Sequence, residues 1–279
     1  MTTVTVLHPG AMGSAVAAQA AAAGHEVLWV PEGRSEATRR RAEDAGVTAC
    51  DSLDEALARS EVVLSICPPQ AAEDVATTVA GHAFTGVYVD ANAINPQRVR
   101  RIAEEIRPGA TVLDGAIFGP PPGGRRAARL YLAGEAQAAD MVEPLFKDTA
   151  LHVRRASGGI GSASALKMAF ASYQKAARTL AGVAHALADA HGVGDELTAE
   201  AQTMASNILS DPGYLPSVAA RAWRWAPEME DIADTLRAAD LPPDMAEAAV
   251  TVMSRWEQDK DRNDLPLADV LAHLRKPGS

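Results

Sequence analysis

Two stretches of this sequence carry residue types and spacings suited to chemistry: a glycine turn near residue 10 and a lysine that follows a second glycine-rich segment. The first, His8-Pro9-Gly10-Ala11-Met12-Gly13, directly follows the apolar run Val4-Thr5-Val6-Leu7 and opens the alanine-rich stretch Ser14 to Ala23. Strand, glycine turn and helix in that order make a phosphate site. Glycine permits a tight turn and close backbone approach, and the free N–H groups of the helix start attract negative charge. His8 replaces the first glycine of the G-x-G-x-x-G spacing, and its side chain is expected to turn outward. A second strand, Glu26 to Val30, follows where a dinucleotide fold reads the adenosine ribose. Glu32 there would hold a 2′-hydroxyl, as in NAD, whereas Arg34, Ser35 and Arg39 suit the 2′-phosphate of NADP, with Arg40 and Arg41 on a solvated helix face. The balance of charge favours NADP over NAD.

Lys167 follows Ser157-Gly158-Gly159-Ile160-Gly161 and falls in the first two turns of a long helix. A helix N-terminus disfavours a cation and burial adds to this, so a lysine so placed gives and takes protons closer to neutrality. Its expected role is to protonate a substrate oxygen as hydride reaches carbon, or to remove that proton in the reverse direction.

The elements that position these residues form two regions. From residue 1 to 157, short β-branched runs alternate with helical stretches, which predicts an α/β, doubly wound parallel sheet. The expected strands are Val4–Leu7, Glu26–Val30, Val62–Ile66, Gly86–Asp90, Thr111–Asp114, Leu130–Ala133 and Leu151–Val153. Their carboxyl ends, Cys67-Pro68-Pro69 and Ala91-Asn92 among them, should line the ligand crevice. Residues 158–279 read as all-helical. Ser162 to His191 holds no proline, only Gly182 as a potential breaker, and Gly192 as a C-cap. Helical patches follow near 195–208, 216–223, 227–239, 243–258 and 266–274.

A formal net charge of −10 argues against general nucleic-acid binding, and the two cysteines, Cys50 and Cys67, make no disulfide framework. With no secretory segment and no membrane-length apolar run, a cytoplasmic protein without membrane or nucleic-acid partners is expected. No His, Cys or acidic spacing suggests a metal site, and no Gly-x-Ser-x-Gly elbow suggests a serine hydrolase.

Gly10-Ala11-Met12-Gly13, Gly24-His25-Glu26-Val27, Asp90-Ala91-Asn92-Ala93 with Pro96, Asp114-Gly115-Ala116-Ile117-Phe118-Gly119 and Gly158, Gly161, Lys167 together resemble the motifs of the β-hydroxyacid and 6-phosphogluconate dehydrogenase superfamily, which includes the imine reductases. The resemblance covers nearly the whole chain. It implies a Rossmann domain, an all-α C-terminal domain with a long interdomain helix, NAD(P)-dependent oxidoreduction and Lys167 as the catalytic group. It also implies a homodimer whose long helices pair. From Ser162-Ala163-Ser164-Ala165-Leu166-Lys167-Met168 and Arg221 to Met229, the C-terminal half is similar to a subgroup whose helical domain has no general functional assignment. Pro227-Glu228 stands where related enzymes carry Lys-Asp.

Asn92 and Ala93 stand in for the family's Ser-Thr, Phe118 for a serine, and Phe170 and Ala171 for asparagines. Cofactor contacts are expected from Gly10, Ala11, Met12, Gly13, Arg34, Ser35, Arg39, Cys67, Pro68 and Asn92, and substrate contacts from Asn92, Ala93, Phe118, Gly119, Phe170 and Gln174. Polar anchors have become apolar, which suits a neutral or aminic substrate better than a small hydroxy acid. Reduction of a carbonyl with Lys167 as proton donor, imine reduction, and a non-catalytic NADP-binding scaffold or redox sensor are the three readings. Gly119-Pro120-Pro121-Pro122-Gly123-Gly124 reads as a stiff wall or lid, or as a plain surface turn.

Overall fold

The computed structural model describes residues 1–204, 208 and 211–275. The chain forms two compact units that divide between Lys167 and Met168, ten residues beyond the change of strand and helix pattern at 157/158.

The first unit alternates strands with helices. β1 (Thr3–Val6), α1 (Ala11–Ala22), β2 (Glu26–Trp29), α2 (Glu36–Asp44), β3 (Thr48–Ala49), α3 (Leu53–Arg59), β4 (Val62–Ser65), α4 (Ala72–Ala80), β5 (Val87–Asp90), α5 (Pro96–Ile106), β6 (Thr111–Phe118), β7 (Ala128–Gly134), α6 (Ala136–Val142) and β8 (Leu151–Arg155) follow in order. The sheet runs β3-β2-β1-β4-β5-β6-β7-β8. Strand order reverses between β1 and β4, so a crevice opens at their carboxyl ends. Side chains alternate between faces: Val62 and Leu64 join one buried cluster with Val4, Val6 and Val89, while Val63 joins Leu7, Tyr88 and Val112 in another. Burial on both faces explains why the strands read as continuous apolar runs.

The sheet departs from the all-parallel expectation at one pair. β6 and β7 run antiparallel, Ile117 opposite Leu130. The glycine- and proline-rich run after Phe118 is therefore the tip of a hairpin, with Gly119 at φ +111° and Gly123 bridged to Arg126. β3 escaped sequence reading because a strand of two residues has no detectable period.

The second unit is helical, and its long helix begins in the first. α7 spans Ser162–Ala190 and is followed by α8 (Gly194–Ala201), α9 (Leu215–Ala219), α10 (Ala222–Ala238), α11 (Asp244–Met253) and α12 (Leu267–His273). Residues 205–207 of the expected 195–208 patch lie outside the described residues. α7 ends in paired Val193 N–H to Ala188 and Gly192 N–H to Asp189 carbonyl bonds, with Gly192 at φ +70°, the left-handed cap expected there. Gly182 does not break the helix. A Cβ there would lie 2.9 Å from the Trp256 ring, so the glycine admits the fully buried indole to the core of Met168, Leu215, Met229, Ile232 and Val270.

Gly182→Ala should force Trp256 aside and cost about 1–3 kcal/mol despite alanine's better helix propensity. A urea midpoint equal to or above that of the unaltered protein would show that the indole does not depend on this contact.

Candidate active site

β1 ends at Val6, and the chain passes through His8 to Gly10, the N-cap of α1. A Cβ on Gly13 would lie 2.1 Å from the His8 carbonyl oxygen, so only glycine lets α1 approach the turn this closely. On Gly10 a Cβ would meet no atom within 4 Å, which leaves the opposite face open. Ser14 donates its hydroxyl to the Gly10 carbonyl at 2.7 Å and fixes the turn. Ala11 is exposed beside it, and Met12 is half-buried against the core.

Next to the turn lies a cavity of about 330 Å³ lined by Leu7, His8, Val30, Glu32, Arg34 and Val79, among others. His8 does not turn outward as expected. Its Nδ1 is buried without a hydrogen-bond partner, and burial together with the Arg34 cation lowers its pKa to about 4, so the imidazole is neutral at neutral pH. The half-buried ring lines this cavity beside Leu7, Val30 and Arg34. The Arg34 Nε is likewise buried and unpartnered, and burial lowers its pKa. Unpartnered buried donors and acceptors are costly, so this cavity suits a polar, anionic guest.

Glu32 is exposed. Ser35 and Arg39, expected to meet a phosphate, brace the loop: the Ser35 hydroxyl accepts the Thr38 N–H at 3.3 Å and caps α2, while Arg39 donates one N–H to the Pro31 carbonyl at 2.7 Å. They hold the segment that presents Arg34.

At the ends of β4 and β5 a polar cluster is buried. Asn92, 3% exposed, donates its amide to Ser65 Oγ and to Asp90 Oδ2, both at 3.0 Å, and accepts the Cys67 N–H at 2.7 Å. Its amide is thus committed inside the protein and fixes the Cys67-Pro68 turn rather than reaching a substrate, contrary to the free anchor expected. Ala93 is half-buried beside it. Burial, reinforced by the Asp90 charge, pushes the Cys67 thiol up to about 11 and leaves it unreactive. Burial also raises Asp90 to about 7, against the pull of its Asn92 hydrogen bonds.

Lys167 sits in the first turns of α7, and a carboxylate sequence reading did not single out sets where that helix begins. Asp114, on β6, accepts the N–H groups of Gly161 and Ala163 at 2.9 Å and of Ser164 at 3.1 Å, and the Ser164 hydroxyl at 2.6 Å. Burial raises its pKa while these bonds oppose the rise. An acid closing the apolar run of the expected strand Thr111–Asp114 was the available signal. Lys167 then reaches back to β6: its Nζ donates to the Ile117 carbonyl at 2.9 Å and lies 5.1 Å from the centre of the Phe118 ring. Phe118 is buried and edge-on to Tyr131, with ring centres 5.2 Å apart, and Gly119 follows it, exposed. Further along α7, Phe170 is 44% exposed, and Gln174 accepts from Arg178 at 2.6 Å. Among the described residues no group of His, Cys, Asp or Glu has the geometry to hold a metal ion, and no helix is long and apolar enough to cross a membrane.

Because Asp90 takes up a proton in the folded protein at a pH where the unfolded chain, near 3.8, has released it, stability falls as pH rises from about 4 to about 7. Asp90→Asn removes this contribution. The urea midpoint of the unaltered protein should therefore fall relative to the variant between pH 5 and pH 8, and a constant difference would contradict the assignment.

Residues 3–158 match the model of the NAD binding domain of 6-phosphogluconate dehydrogenase, and residues 188–256 match a domain of unknown function (DUF1932). An uncharacterized 28.5 kDa protein of Methanothermus fervidus is 29% identical over 172 residues, which are 62% of this chain and 65% of that relative. A conserved protein of unknown function whose structure was described as similar to 3-hydroxyacid dehydrogenases aligns at TM-score 0.72 and 26% identity, over 94% of this chain and 100% of that one. Mycobacterium tuberculosis 3-hydroxyisobutyrate dehydrogenase, solved with L-serine, aligns at TM-score 0.80 and 20% identity over 99% and 100%. An imine reductase from Pseudomonas sp. shares the fold at TM-score 0.60 and 18% identity, over 98% and 99%. The glycine turn, the sheet order and a domain match over more than half its length agree: the chain belongs to the family of the NAD-binding domain of 6-phosphogluconate dehydrogenase.

Proposed function

We propose that this protein moves hydride between NADP and the carbonyl or hydroxyl carbon of a small or medium substrate, with Lys167 passing the oxygen's proton. The observation that carries this reading is the lysine itself. Its ammonium is held at the carboxyl end of β6 by the Ile117 carbonyl, on a helix whose start is fixed by Asp114. Bound NADP(H) supplies or accepts the hydride. Gly10 leaves room for the pyrophosphate at the start of α1, which Gly13 lets pack against the turn, and Arg34, with the neutral His8, offers buried polar atoms to the ribose phosphate. That unpartnered guanidinium, against an exposed Glu32, supports NADP over NAD.

A second reading, imine reduction, has its own support. The face beside the Lys167 ammonium is the apolar Phe118 ring, which suits a neutral or aminic substrate. We also propose a homodimer formed along α7. Leu166, Phe170, Tyr173 and Leu180 are 41, 44, 64 and 58% exposed and recur at heptad spacing on one helix face, an apolar stripe that a second copy would cover. A light-scattering mass of one chain rather than two would overturn the dimer.

NADPH oxidation measured against a panel of carbonyl compounds and cyclic imines tests the chemistry. Lys167→Met should lower carbonyl turnover about 10²–10⁴-fold with NADPH affinity unchanged, and Arg34→Ala should weaken NADPH about tenfold or more while sparing NADH. Full turnover of Lys167→Met on imines alone would move the activity to the second reading, and its retention on carbonyls would remove the lysine's role.

A further inference from the structure

The helical unit contains a second concentration of charge. Arg221, just ahead of α10, lays its guanidinium 5.2 Å from the centre of the Trp225 ring, and Lys175 of α7 reaches the same ring at 5.6 Å. Arg178, further along α7, lies 5.7 Å from the centre of the Tyr214 ring. Arg224 stands close by: its charge and that of Arg178 add to burial in loosening the hold of Arg221 on its proton.

The compensation for these cations is uneven. Lys175, itself 8% exposed, pairs with Glu228. The two half-buried arginines are instead held by neutral acceptors: Arg178 donates to the Gln174 carbonyl and side-chain oxygen at 3.1 and 2.6 Å, and Arg221 donates to the Ser217 carbonyl at 2.7 Å and to its hydroxyl. Asp211 bears on Tyr214. Among the described residues no carboxylate lies within the 4.0 Å of an ion pair with Arg178, Arg221 or Arg224. In a chain of net charge −10, acidic side chains are plentiful, yet the carboxylate placed in this cluster, Glu228, is taken by Lys175 and not by an arginine.

Like charges gathered in a partly desolvated place repel, and folding retains such an arrangement at a cost. A guanidinium is a planar fork of N–H donors, and one that is oriented by neutral neighbours keeps its charge and its outer donors for an oxyanion. The aromatic rings hold the cations without neutralising them. We infer that Arg178, Arg221 and Arg224, oriented by Ser217, Gln174 and the Trp225 face, form a binding site for the oxyanion of a small molecule, a carboxylate or a phosphate monoester. This site goes beyond the redox reading and stands without it, since it uses none of the residues assigned to hydride or proton transfer.

Phenylglyoxal labelling of the intact protein, mapped by peptide mass spectrometry with and without inorganic phosphate or malonate, tests it without any substitution. Phosphate or malonate should slow labelling of Arg178, Arg221 or Arg224 and leave Arg40, on an exposed helix face, unchanged. Protection by phosphate alone assigns the site to phosphate monoesters, and protection by malonate alone assigns it to carboxylates. No protection, or protection confined to Arg34, overturns the proposal. By calorimetric titration of the same anion, Arg221→Gln should bind about tenfold more weakly, with Arg221→Lys in between. Unchanged affinity in Arg221→Gln, with the helical circular dichroism retained, also overturns it.

Discussion

The carboxylate of Asp114 is the contact on which the rest of the site depends. It is fully buried on a sheet strand, yet it accepts four hydrogen bonds: from the N–H of Gly161 just ahead of α7, from the N–H groups of Ala163 and Ser164 in its first turn, and from the Ser164 hydroxyl. Those N–H groups have no partner within the helix and would otherwise be buried without one. Each charge-assisted bond contributes about 1.5–3 kcal/mol, and the helix N-terminus adds attraction for a negative charge. Burial opposes this by favouring the protonated acid, and the direction of the pKa shift shows that burial is the larger influence. The result fixes the start of a 29-residue helix to one point on β6. The first turns of α7 therefore fold with the sheet, and the division between compact units falls at Lys167, inside the helix.

Asp90 applies the same physics to a different end. It also lies buried at a strand end, but its partners come from one neighbour, Asn92, by a side-chain bond at 3.0 Å and a backbone bond at 3.2 Å. With less compensation its pKa climbs to about 7. Asn92 passes the constraint on, gripping Ser65 and the backbone of Cys67, so the turns after β4 and β5 are braced against each other. Both strand ends are thereby tied together by side chains that are themselves buried.

Much of this was legible in the residues. The glycine turn, most of the strands, the long helix and its left-handed glycine cap follow from spacing and from glycine's conformational freedom. Gly13 was legible because a helix can approach that turn only without a Cβ, whereas Gly182 reads in sequence as a weak point in a helix. Its purpose, admitting Trp256, joins residues far apart in the chain, and no local pattern records that. The same holds for Asn92 and His8. Polar residue types near a crevice suggest outward function, but the hydrogen-bond demand of neighbouring strand ends turned Asn92 inward, and His8 is half-buried with its Nδ1 out of reach of solvent. The antiparallel β6–β7 hairpin was hidden because Leu130–Ala133 looks alike in either direction, and only the turn before it distinguishes them.

The partners of Lys167 bear on how proton transfer would work. A peptide carbonyl is a neutral acceptor, and the Phe118 ring offers only a weak electrostatic partner to an ammonium. A substrate carbonyl oxygen is no better an acceptor than Ile117, so the ammonium gains little by leaving β6 for the ground state. As hydride reaches carbon, negative charge grows on that oxygen, and it becomes a stronger acceptor than any peptide group. Were Lys167 the proton donor proposed above, its preference would therefore switch from the Ile117 carbonyl to the reacting oxygen as the transition state forms. An interaction that strengthens only there lowers the barrier without tightening substrate binding. Replacing Phe118 by a hydrogen-bonding residue would give the ammonium a better resting partner and weaken that switch. On that reading the apolar neighbour of Lys167 would have a use beyond the loss of a polar anchor.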